Sequence, residues 1–423
     1  MSDIRVSDVF GTQRNEPKNY VEREYVDDQF LKNLRRDKHV VIHGGSKQGK
    51  TCLRSHCLED DEMAEIICQF DTSLVNLQEQ ILKKVGYRTE VLNKETQSGH
   101  NKLKAKLTSK IPGIGGGGVE GEMQEGYKDE TQTKPLELDP SDINDIVEAI
   151  NKTDFDKYIV LEDFHYLPID VQKNFAGRLK AIHQQTDITF IIVGVWLEEN
   201  RLILYSGDLG GRVVSVDADS WERGELKGVI EKGERLLNIK FDEQFKSELV
   251  SKCYESVYVL QEICLRVCWN NDITSKQPNT TEVSPTKSVD ELIDDVMSEQ
   301  DATYRGFLRE FSSGFRKTDY ELYKWILYSL ITTDIDELKS GKHMRDILEE
   351  IEHSHPEVDN VNQGHLTQSL GRVVPLQNDK NIEPIILDYN SDARRLDIVD
   401  KRFLIWLDNR SMDTLMEFID IEQ

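Results

Sequence analysis

Residues 44–51 have the types and the spacing to hold the phosphates of a nucleotide. The stretch from Val40 to Arg54 reads VVIHGGSKQGKTCLR, in which Gly44 is separated by four residues from Gly49-Lys50-Thr51. Glycines let backbone N–H groups turn toward an anion, a lysine neutralises phosphate charge, and a threonine hydroxyl can hold Mg²⁺. A chance match in a chain this long has a frequency on the order of one per cent. The pattern predicts a phosphate-binding loop made of Gly44, Gly45, Ser46, Lys47, Gln48, Gly49, Lys50, Thr51 and Cys52.

Two adjacent acids end a second apolar stretch, YIVLEDFHYLP at 158–168. Carboxylates at the end of a buried strand cost free energy unless they hold a cation or a partner. A phosphate-binding loop needs such a strand, because its carboxylates hold Mg²⁺ and polarise the attacking water. We therefore predict that Glu162 and Asp163 are catalytic. Glu162 would reach the water shell of a Mg²⁺ ion that Thr51 also holds, and Asp163 would polarise the water; a solvent-exposed strand end is the alternative.

Two other features are open to more than one interpretation. His165 could orient a carboxylate or contact the γ-phosphate, and it could equally be a packed or surface histidine. The four glycines at 115–118 could suggest a second phosphate site, but no Lys-Ser/Thr pair follows them. Since glycine runs of this sort behave as linkers, we predict a flexible or hairpin insertion near 88–138.

Strands and helices alternate around these motifs. The β-branched runs HVVIHG, AEIICQF, KYIVLED, ITFIIVGVW and RVVSVDA are separated by amphipathic helical segments. Near-continuous apolar strands of this kind indicate a parallel sheet covered on both faces. The sequence predicts an α/β domain over 18–219, in which a further strand lies between the loop strand and the acidic strand.

The rest of the chain divides by composition. Residues 1–17 are a polar lead, 220–275 are helical, 276–288 are a polar linker rich in Pro, Thr and Ser, and 289–423 form a second unit. In this last unit, helices are followed by the strands EPIILDYN and RRLDIVD, joined by a turn at Ser391–Ala393. Three helices followed by a hairpin is the order of a winged helix, which we predict here.

Composition limits the partners and the compartment. The formal net charge is −25, and a strongly acidic chain repels nucleic acid unless a local basic patch overrides the field. No run of eighteen apolar residues is present, so no membrane span is expected. The N-terminus lacks a signal-peptide core, and the six cysteines stand mostly in apolar runs without metal-ligand spacing. We predict a cytoplasmic protein with reduced thiols.

The stretches GGSKQGKT and IVLEDFHYL, in this order of elements, resemble the AAA+ and STAND group of P-loop ATPases, nearest to its origin-recognition-like branch. The resemblance covers 18–275 and, more loosely, the winged helix. It implies a P-loop core of the additional-strand class with a helical lid over 220–275, using ATP and Mg²⁺. In this group Asp usually precedes Glu. Because Asp163 is shorter than Glu by about one C–C bond, the reversed order predicts slow hydrolysis.

Three arginines take roles only through this resemblance. Arg23 lies in YVEREYVDDQF, which is similar to the segment that cups the adenine. Arg212 precedes the last strand of the core, where relatives carry the arginine finger that completes a neighbouring subunit's site. Arg201 is the alternative finger, and either arginine could instead form a surface ion pair. A finger acting in trans implies a homo-oligomer.

The resemblance also favours a switch over a remodelling motor. Val195 and Trp196 stand where the group has a polar sensor, with Asn200 the first amide available, and Val257 and Tyr258 stand where the lid has a sensing arginine. Such a switch would pass its nucleotide state to a protein partner or separate effector. Switch ATPases of this type in microbes often belong to immune or phage-defence modules, which is the implied role. The alternative is an ATP-dependent DNA-binding regulator of the origin-recognition or transposition type.

The winged helix decides between these two functions. Residues of its presumed reading helix and wing could contact DNA, but acidic residues outnumber basic ones over 301–423, so the sequence favours docking to a protein. The candidate DNA contacts are Gln363, His365, Gln368, Arg372, Lys380, Arg394 and Arg395.

Overall fold

The computed structural model describes residues 4–12, 16–95, 101–107, 136–316, 320–356 and 362–421 of the 423. Up to residue 219 the elements follow the predicted alternation of helices and strands. They are α1 (Val6–Val9), α2 (Glu24–Leu34), β1 (His39–His43), α3 (Lys50–Cys57), β2 (Met63–Ile67), α4 (Leu74–Lys84), β3 (Tyr87–Glu95), β4 (Asn101–Leu107), β5 (Leu136–Leu138), α5 (Ile143–Ile150), β6 (Tyr158–Glu162), α6 (Ile169–Gln185), β7 (Phe190–Val193), α7 (Arg201–Tyr205) and β8 (Val213–Asp217).

Five parallel strands form the central sheet, in the order β2–β6–β7–β1–β8. Strand β7 separates β1 from β6, as the sequence predicted, and all of β1 is buried. Two apolar clusters cover the two faces of the sheet. Because the strands are parallel, the residues that follow β1 and β6 meet at the same edge of the sheet. This edge carries both predicted motifs.

The insertion is a small antiparallel sheet in its described part. Strands β3, β4 and β5 pair in that order, and Leu103 and Ala105 of β4 pack into the apolar cluster of the main domain. In the described ends of the insertion, at 87–95, 101–107 and 136–138, the chain therefore forms antiparallel strands, which fits the hairpin interpretation. Gly115–Gly118, where the sequence raised a second phosphate site, lie outside the described residues.

The lid is helical, and both segments that flank it in sequence pack onto it. Its elements are α8 (Arg223–Leu237), β9 (Ile239–Phe241), α9 (Glu243–Lys252), α10 (Val257–Asn270) and β10 (Thr281–Val283). Strand β10 comes from the segment that we expected to be a linker, and it pairs with β9. The N-terminal lead is docked as well: Phe10 is fully buried, and its ring fills the space left by the absent side chain of Gly233.

The C-terminal unit has the predicted winged-helix order. Helices α13, α15 and α16 precede the β12–β13 hairpin, and the short β11 adds a third strand in the order β11–β13–β12. The elements are α11 (Val289–Ser298), α12 (Asp301–Ser312), α13 (Leu322–Ile331), α14 (Ile335–Leu338), β11 (Lys342–His343), α15 (Met344–Ser354), α16 (Gln363–Leu370), α17 (Val373–Asp379), β12 (Leu387–Asn390), β13 (Arg395–Ile398), α18 (Lys401–Asp408) and α19 (Met412–Phe418).

The lid and the C-terminal unit share one apolar core. The domain that contains the central sheet, called the sheet domain below, meets the C-terminal unit through a much smaller apolar contact. The shared core includes Phe10, Leu260 and Phe403. The small contact is a cluster of three buried residues, Val195, Ile385 and Val399. Apolar area buried is the main source of cohesion between units, so the lid and winged helix are joined far more firmly to each other than to the sheet domain. Among the described helices, none is long and apolar enough to cross a membrane.

Candidate nucleotide-binding site

The phosphate-binding loop lies between β1 and α3, at the carboxyl edge of the sheet. Gly44 and Gly49 have φ of 144° and 86°, and Lys47 between them has a φ of 60°. A Cβ on Gly44 would come within 2.8 Å of the Asp219 backbone nitrogen, so only glycine fits there. The alternating backbone turns the loop amides inward, which is the geometry of an anion nest.

Lys50, the first residue of α3, is folded back over the loop. Its Nζ donates to the carbonyl oxygens of Gly44 at 3.1 Å and Gly45 at 2.6 Å. Burial lowers the pKa of Lys50 to about 8, and the nearby carboxylates of Asp219 and Asp163 oppose this shift. A buried ammonium held only by carbonyls is poised to take a stronger anionic acceptor.

Two observations indicate that the loop could hold a nucleotide phosphate. Within the described chain, the backbone N–H groups of 47–49 have no acceptor, and the first N–H groups of α3 are free by the geometry of a helix start. Both polar atoms of the Gln48 side chain are buried without a partner, and Thr51 is exposed. The residues present therefore suit a phosphate chain, and the Thr51 hydroxyl is accessible to a Mg²⁺ ion.

Arg23 is placed beside the loop rather than at the surface. Its guanidinium lies 4.4 Å over the Trp221 ring and donates to the carbonyl of Ala218 at 2.9 Å. Trp221 in turn donates to the Gln48 carbonyl at 3.2 Å. The Nε and Nη2 groups of Arg23 are buried without a hydrogen-bond acceptor in the described chain, and Nε lies 4.0 Å from the Asp27 carboxylate. Arg23 thus links α2 to the junction of β8 and the lid, and it keeps two donors for a ligand.

The two carboxylates of the acidic strand have different cations. Glu162 accepts from Arg54 Nε at 2.7 Å, and Arg54 also contacts Glu65 at 3.2 Å. Asp163, directly after β6, has a left-handed backbone with a φ of 56°. Burial raises the pKa of Asp163, and Lys50 is the first charge to oppose that shift. Glu162 is therefore held by α3, while Asp163 is the acid within electrostatic reach of the loop lysine.

Sequence reasoning missed Arg54, although a signal for it existed. Arg54 follows Lys50 by four residues on the same helix, and side chains at i and i+4 share a face. Since Lys50 must face the edge of the sheet that carries the phosphates, the side chain at position 54 faces the neighbouring strand ends, where the acids lie.

The predicted sensor positions are not filled by polar groups. Trp196, after β7, is fully buried, and its carbonyl accepts from the Gly44 N–H at 3.0 Å. Asn200 is exposed. His165 is buried against Tyr166 with ring centroids 4.1 Å apart, its Nδ1 has no partner, and burial lowers its pKa well below the ordinary value. His165 is thus a packed, neutral residue and not a surface one.

The two candidate finger arginines have different surroundings. Arg212 lies just before β8, at the amino edge of the sheet, where its carbonyl accepts from His39 N–H. The loop follows β1 at the opposite edge, so Arg212 is about one strand length from its own phosphate site. Arg201 is buried, pairs with Glu198 at 3.2 Å and contacts Asp388 of the winged helix. Arg212, by contrast, is half-buried and donates to the Asp208 carbonyl at 2.7 Å, and its role as a finger stays a prediction.

The winged-helix unit closes directly onto the loop. The Ser46 N–H donates to the Val399 carbonyl at 2.8 Å, and the Gly45 N–H donates to the Asp219 carboxylate at 2.7 Å. Lys401 of α18 holds that carboxylate at 2.9 Å and also pairs with Glu255 of the lid at 3.2 Å. Two amides of the loop, those of Gly45 and Ser46, are therefore bonded to the protein itself, and sequence reasoning identified none of these contacts.

A basic cavity of about 460 Å³ lies beside α16, the third helix of the winged unit. Arg309, Arg316 and Arg372 line it, together with His365 and Gln368. Throughout the described chain these three arginines have no salt bridge. Other predicted DNA contacts are engaged: Arg395 pairs with Asp397 at 2.8 Å, and Lys380 lies 3.8 Å from Glu310.

No family model matches the sequence, and no curated protein sequence matches it. Among solved structures, the chain is similar to the Walker-type ATPase PABY2304 of Pyrococcus abyssi, with 11% identity, a TM-score of 0.52, and coverage of 95% of this chain and 99% of that one. The chain has the fold of the AAA+ P-loop ATPases. This confirms the predicted fold class, a parallel-sheet P-loop core with a C-terminal winged helix.

Weaker likenesses extend to origin-recognition proteins. The ORC1 protein of Aeropyrum pernix, solved in complex with DNA, has 10% identity and a TM-score of 0.44, with 99% of this chain and 98% of that one covered. The ORC2 protein of the same organism has 13% identity and a TM-score of 0.46, with coverage of 97% and 96%. At these scores the AAA+ likeness concerns the fold alone, and the function has to be argued from the site.

Proposed function

We propose that the protein is an ATP-dependent switch with a closed arrangement that its own winged helix holds. The observation that carries this proposal is the hydrogen bond from the Ser46 N–H to the Val399 carbonyl. The Ser46 N–H, and the Gly45 N–H that Asp219 holds, adjoin the amides of 47–49 that would receive the phosphates. In this proposal a phosphate on those amides draws the loop away from Val399 and Asp219, so ATP binding and closure of the winged helix oppose each other.

Residues in and around the loop contribute to binding and hydrolysis in different ways. The amides of 47–49 and the Lys50 ammonium receive the phosphates, and Gly44 lets the chain turn toward them. Arg23 and Gln48 supply unpaired buried donors beside the loop. A Mg²⁺ ion held by Thr51 would neutralise charge on the phosphates. Asp163 accepts a proton from the attacking water, and its short side chain supports slow hydrolysis.

The contacts between the sheet domain and the winged helix are few enough for a bound ligand to separate the two. The sheet domain meets the winged helix through only a small apolar cluster, while the lid and winged helix share a large core. Release of Val399 and Asp219, together with the Arg201–Asp388 ion pair that also spans the two units, would therefore let the lid and winged helix move as one body. We propose that this motion reports the nucleotide state to a protein partner, and that Arg212 from a neighbouring copy, half-buried and bonded to the Asp208 carbonyl in its own chain, completes the site.

The proposed setting is the cytoplasm. All six cysteines are free, and Cys253, Cys264 and Cys268 are buried, which fits a reducing compartment. A role in a microbial immune or phage-defence module remains a prediction from the STAND resemblance.

Replacing Asp219 by asparagine tests the closed state. The Asp219 carboxylate holds the Gly45 N–H in the closed arrangement and lies close to Lys50, where it would repel a phosphate. Its neutralisation should therefore tighten ATP binding by about three- to tenfold. Calorimetric titration with ATP measures this affinity. X-ray scattering of the same samples should give a larger radius of gyration with ATP than without it.

A matched pair of variants separates closure from general charge effects. Lys401→Ala removes the strap between Asp219 and the lid, so it should enlarge the nucleotide-free protein. Lys287→Ala removes an exposed lysine that pairs with Asp295 away from the loop, and it should leave both measurements unchanged. ATP binding with no change in the scattering profile would contradict the switch, and absence of ATP binding would contradict the whole proposal.

A second candidate function is an ATP-dependent DNA-binding regulator, which the basic cavity favours. Acidic residues dominate the unit overall, yet three arginines free of salt bridges gather beside the third helix of a winged fold. Local charge of this kind is what binds phosphates on a duplex. The structure thus gives DNA more support than composition did.

Arg372→Glu provides the test of this second function. We expect the affinity for a labelled DNA duplex, read by fluorescence anisotropy at low salt with ATP present, to fall by about tenfold or more. Arg345→Glu is the control, because Arg345 is exposed on α15 and makes the same charge change away from the cavity. If the wild-type chain binds no duplex under these conditions, the DNA hypothesis is wrong.

A further inference from the structure

The ion pair between Arg54 and Glu162 joins the phosphate-loop helix to the acidic strand. Arg54 is 3% exposed and Glu162 is 6% exposed, so both charges are nearly removed from water. The guanidinium uses every nitrogen: Nε bonds Glu162 at 2.7 Å, Nη2 bonds Glu65 at 3.2 Å, and Nη1 contacts the Met63 sulfur at 2.8 Å. A buried, multiply held guanidinium is a fixed charge and not a mobile surface group.

Without the Arg54 guanidinium, the Glu162 carboxylate at the end of the acidic strand would have no hydrogen-bonded cation among the described residues. A buried carboxylate must be neutralised by a proton, a metal or a cation. Lys50 and Lys47 are the cations that act on Asp163, whereas Arg54 is the one that bonds Glu162. The two acids thus face different cations: Arg54 of α3 bonds Glu162, while Lys50, at the start of the same helix, and Lys47 of the loop act on Asp163.

We propose that Arg54 is a positioning residue that holds Glu162 as an internal counter-ion and so competes with Mg²⁺ for it. Nucleotide binding by this chain then depends only weakly on Mg²⁺, because Glu162 is already neutralised when the phosphates arrive. This inference rests on the proposed nucleotide site. It assigns Glu162 a role different from the one the sequence suggested, namely a direct contact with the water shell of the metal.

The measurement is the affinity for a fluorescent N-methylanthraniloyl derivative of ADP, taken in excess MgCl₂ and in EDTA. For the wild type, the ratio of the two dissociation constants should stay below about threefold. Arg54→Gln leaves a bare carboxylate that repels phosphate without Mg²⁺ and attracts Mg²⁺ when it is present. The ratio should therefore rise by about tenfold or more.

Three further variants make the test independent of one mutant's folding. Arg54→Lys keeps a positive charge near Glu162 and should retain a ratio close to wild type. Glu65→Gln removes the other carboxylate partner of Arg54 and should do the same. Glu162→Gln should change the ratio by less than about twofold, since Glu162 does not serve the metal in the wild type. Melting curves by circular dichroism without nucleotide show which variants are folded.

The outcomes separate this inference from the proposed function. A wild-type ratio of a hundredfold overturns the inference, as does a Glu162→Gln variant whose ratio collapses, because either result shows that Glu162 acts through the metal. An unchanged ratio in folded Arg54→Gln also overturns it. A wild-type chain that binds the ADP derivative in neither condition overturns the proposed function itself.

Discussion

Replacing Asp163 by asparagine is expected to lower ATP turnover by about a hundredfold or more, because an amide cannot take the proton of the attacking water. Asp163 is the carboxylate on which Lys50 acts, directly past the end of β6. Its backbone is left-handed with a φ of 56°, a conformation that asparagine tolerates well. The fold should therefore survive the change, and phosphate release at saturating ATP measures the effect.

Asp170→Asn is the matched control for that prediction. Asp170 is exposed in the first turn of α6, so the same chemical change should leave turnover within about twofold of wild type. Affinity for ATP should be similar in all three proteins, because the loop amides and Lys50 are unchanged. If Asp163→Asn turned over ATP at the wild-type rate, Asp163 would not be the group that takes the proton of the attacking water.

The sequence was sufficient for the central sheet because its signals are local. Each core strand is a run of β-branched residues between amphipathic helices, and parallel pairing follows from that alternation. The position of β7 between β1 and β6 follows from the P-loop class. Gly44 and Gly49 require unusual backbone angles that few other residues allow, so the loop could also be recognised without the fold.

The contacts that define the closed state could not be predicted in the same way. Gly45 and Asp219 are 174 positions apart, and Val399 belongs to a different unit. The Val399 group involved is a backbone carbonyl, which every residue has, so no side-chain pattern marks it. Such contacts depend on how complete units pack against one another.

Two segments were assigned too little structure for a related reason. The N-terminal lead looks polar, but Val6, Val9 and Phe10 are buried against the lid. The presumed linker contains β10, whose three residues pair with β9. A helix of one turn and a strand of three residues are too short to show a period. Their stability comes from the surface they cover, which the sequence does not show.

The firm union of lid and winged helix explains how a small change at the loop could have a large effect. Lys401 contacts Asp219 at the sheet edge and Glu255 in the lid, so the loop, the lid and the C-terminal unit meet at one side chain. A phosphate that displaces Asp219 from the Gly45 N–H alters the contact that Lys401 makes. Few apolar residues bridge the sheet domain and the winged helix, so the other contact that opposes separation is the buried ion pair between Arg201 and Asp388.

Lys50→Ala is the second variant with a large expected effect, a loss of about a hundredfold in ATP affinity. The Nζ group is held only by the Gly44 and Gly45 carbonyls. A charge-assisted bond to phosphate contributes about 1.5–3 kcal/mol more than the water it replaces, and each 1.4 kcal/mol is about tenfold in affinity. Calorimetric titration with ATP and with ADP measures the loss.

Lys84→Ala removes an exposed lysine from the end of α4 and should bind ATP as the wild type does. Comparing it with Lys50→Ala cancels the general effect of one positive charge lost from an acidic chain. If the two variants bound ATP equally well, the loop would not be the phosphate site. If instead Lys50→Ala alone loses binding and keeps the compact nucleotide-free shape, then closure depends on Val399 and Asp219 and not on the lysine. Closure and nucleotide binding would then be separate properties of the same loop.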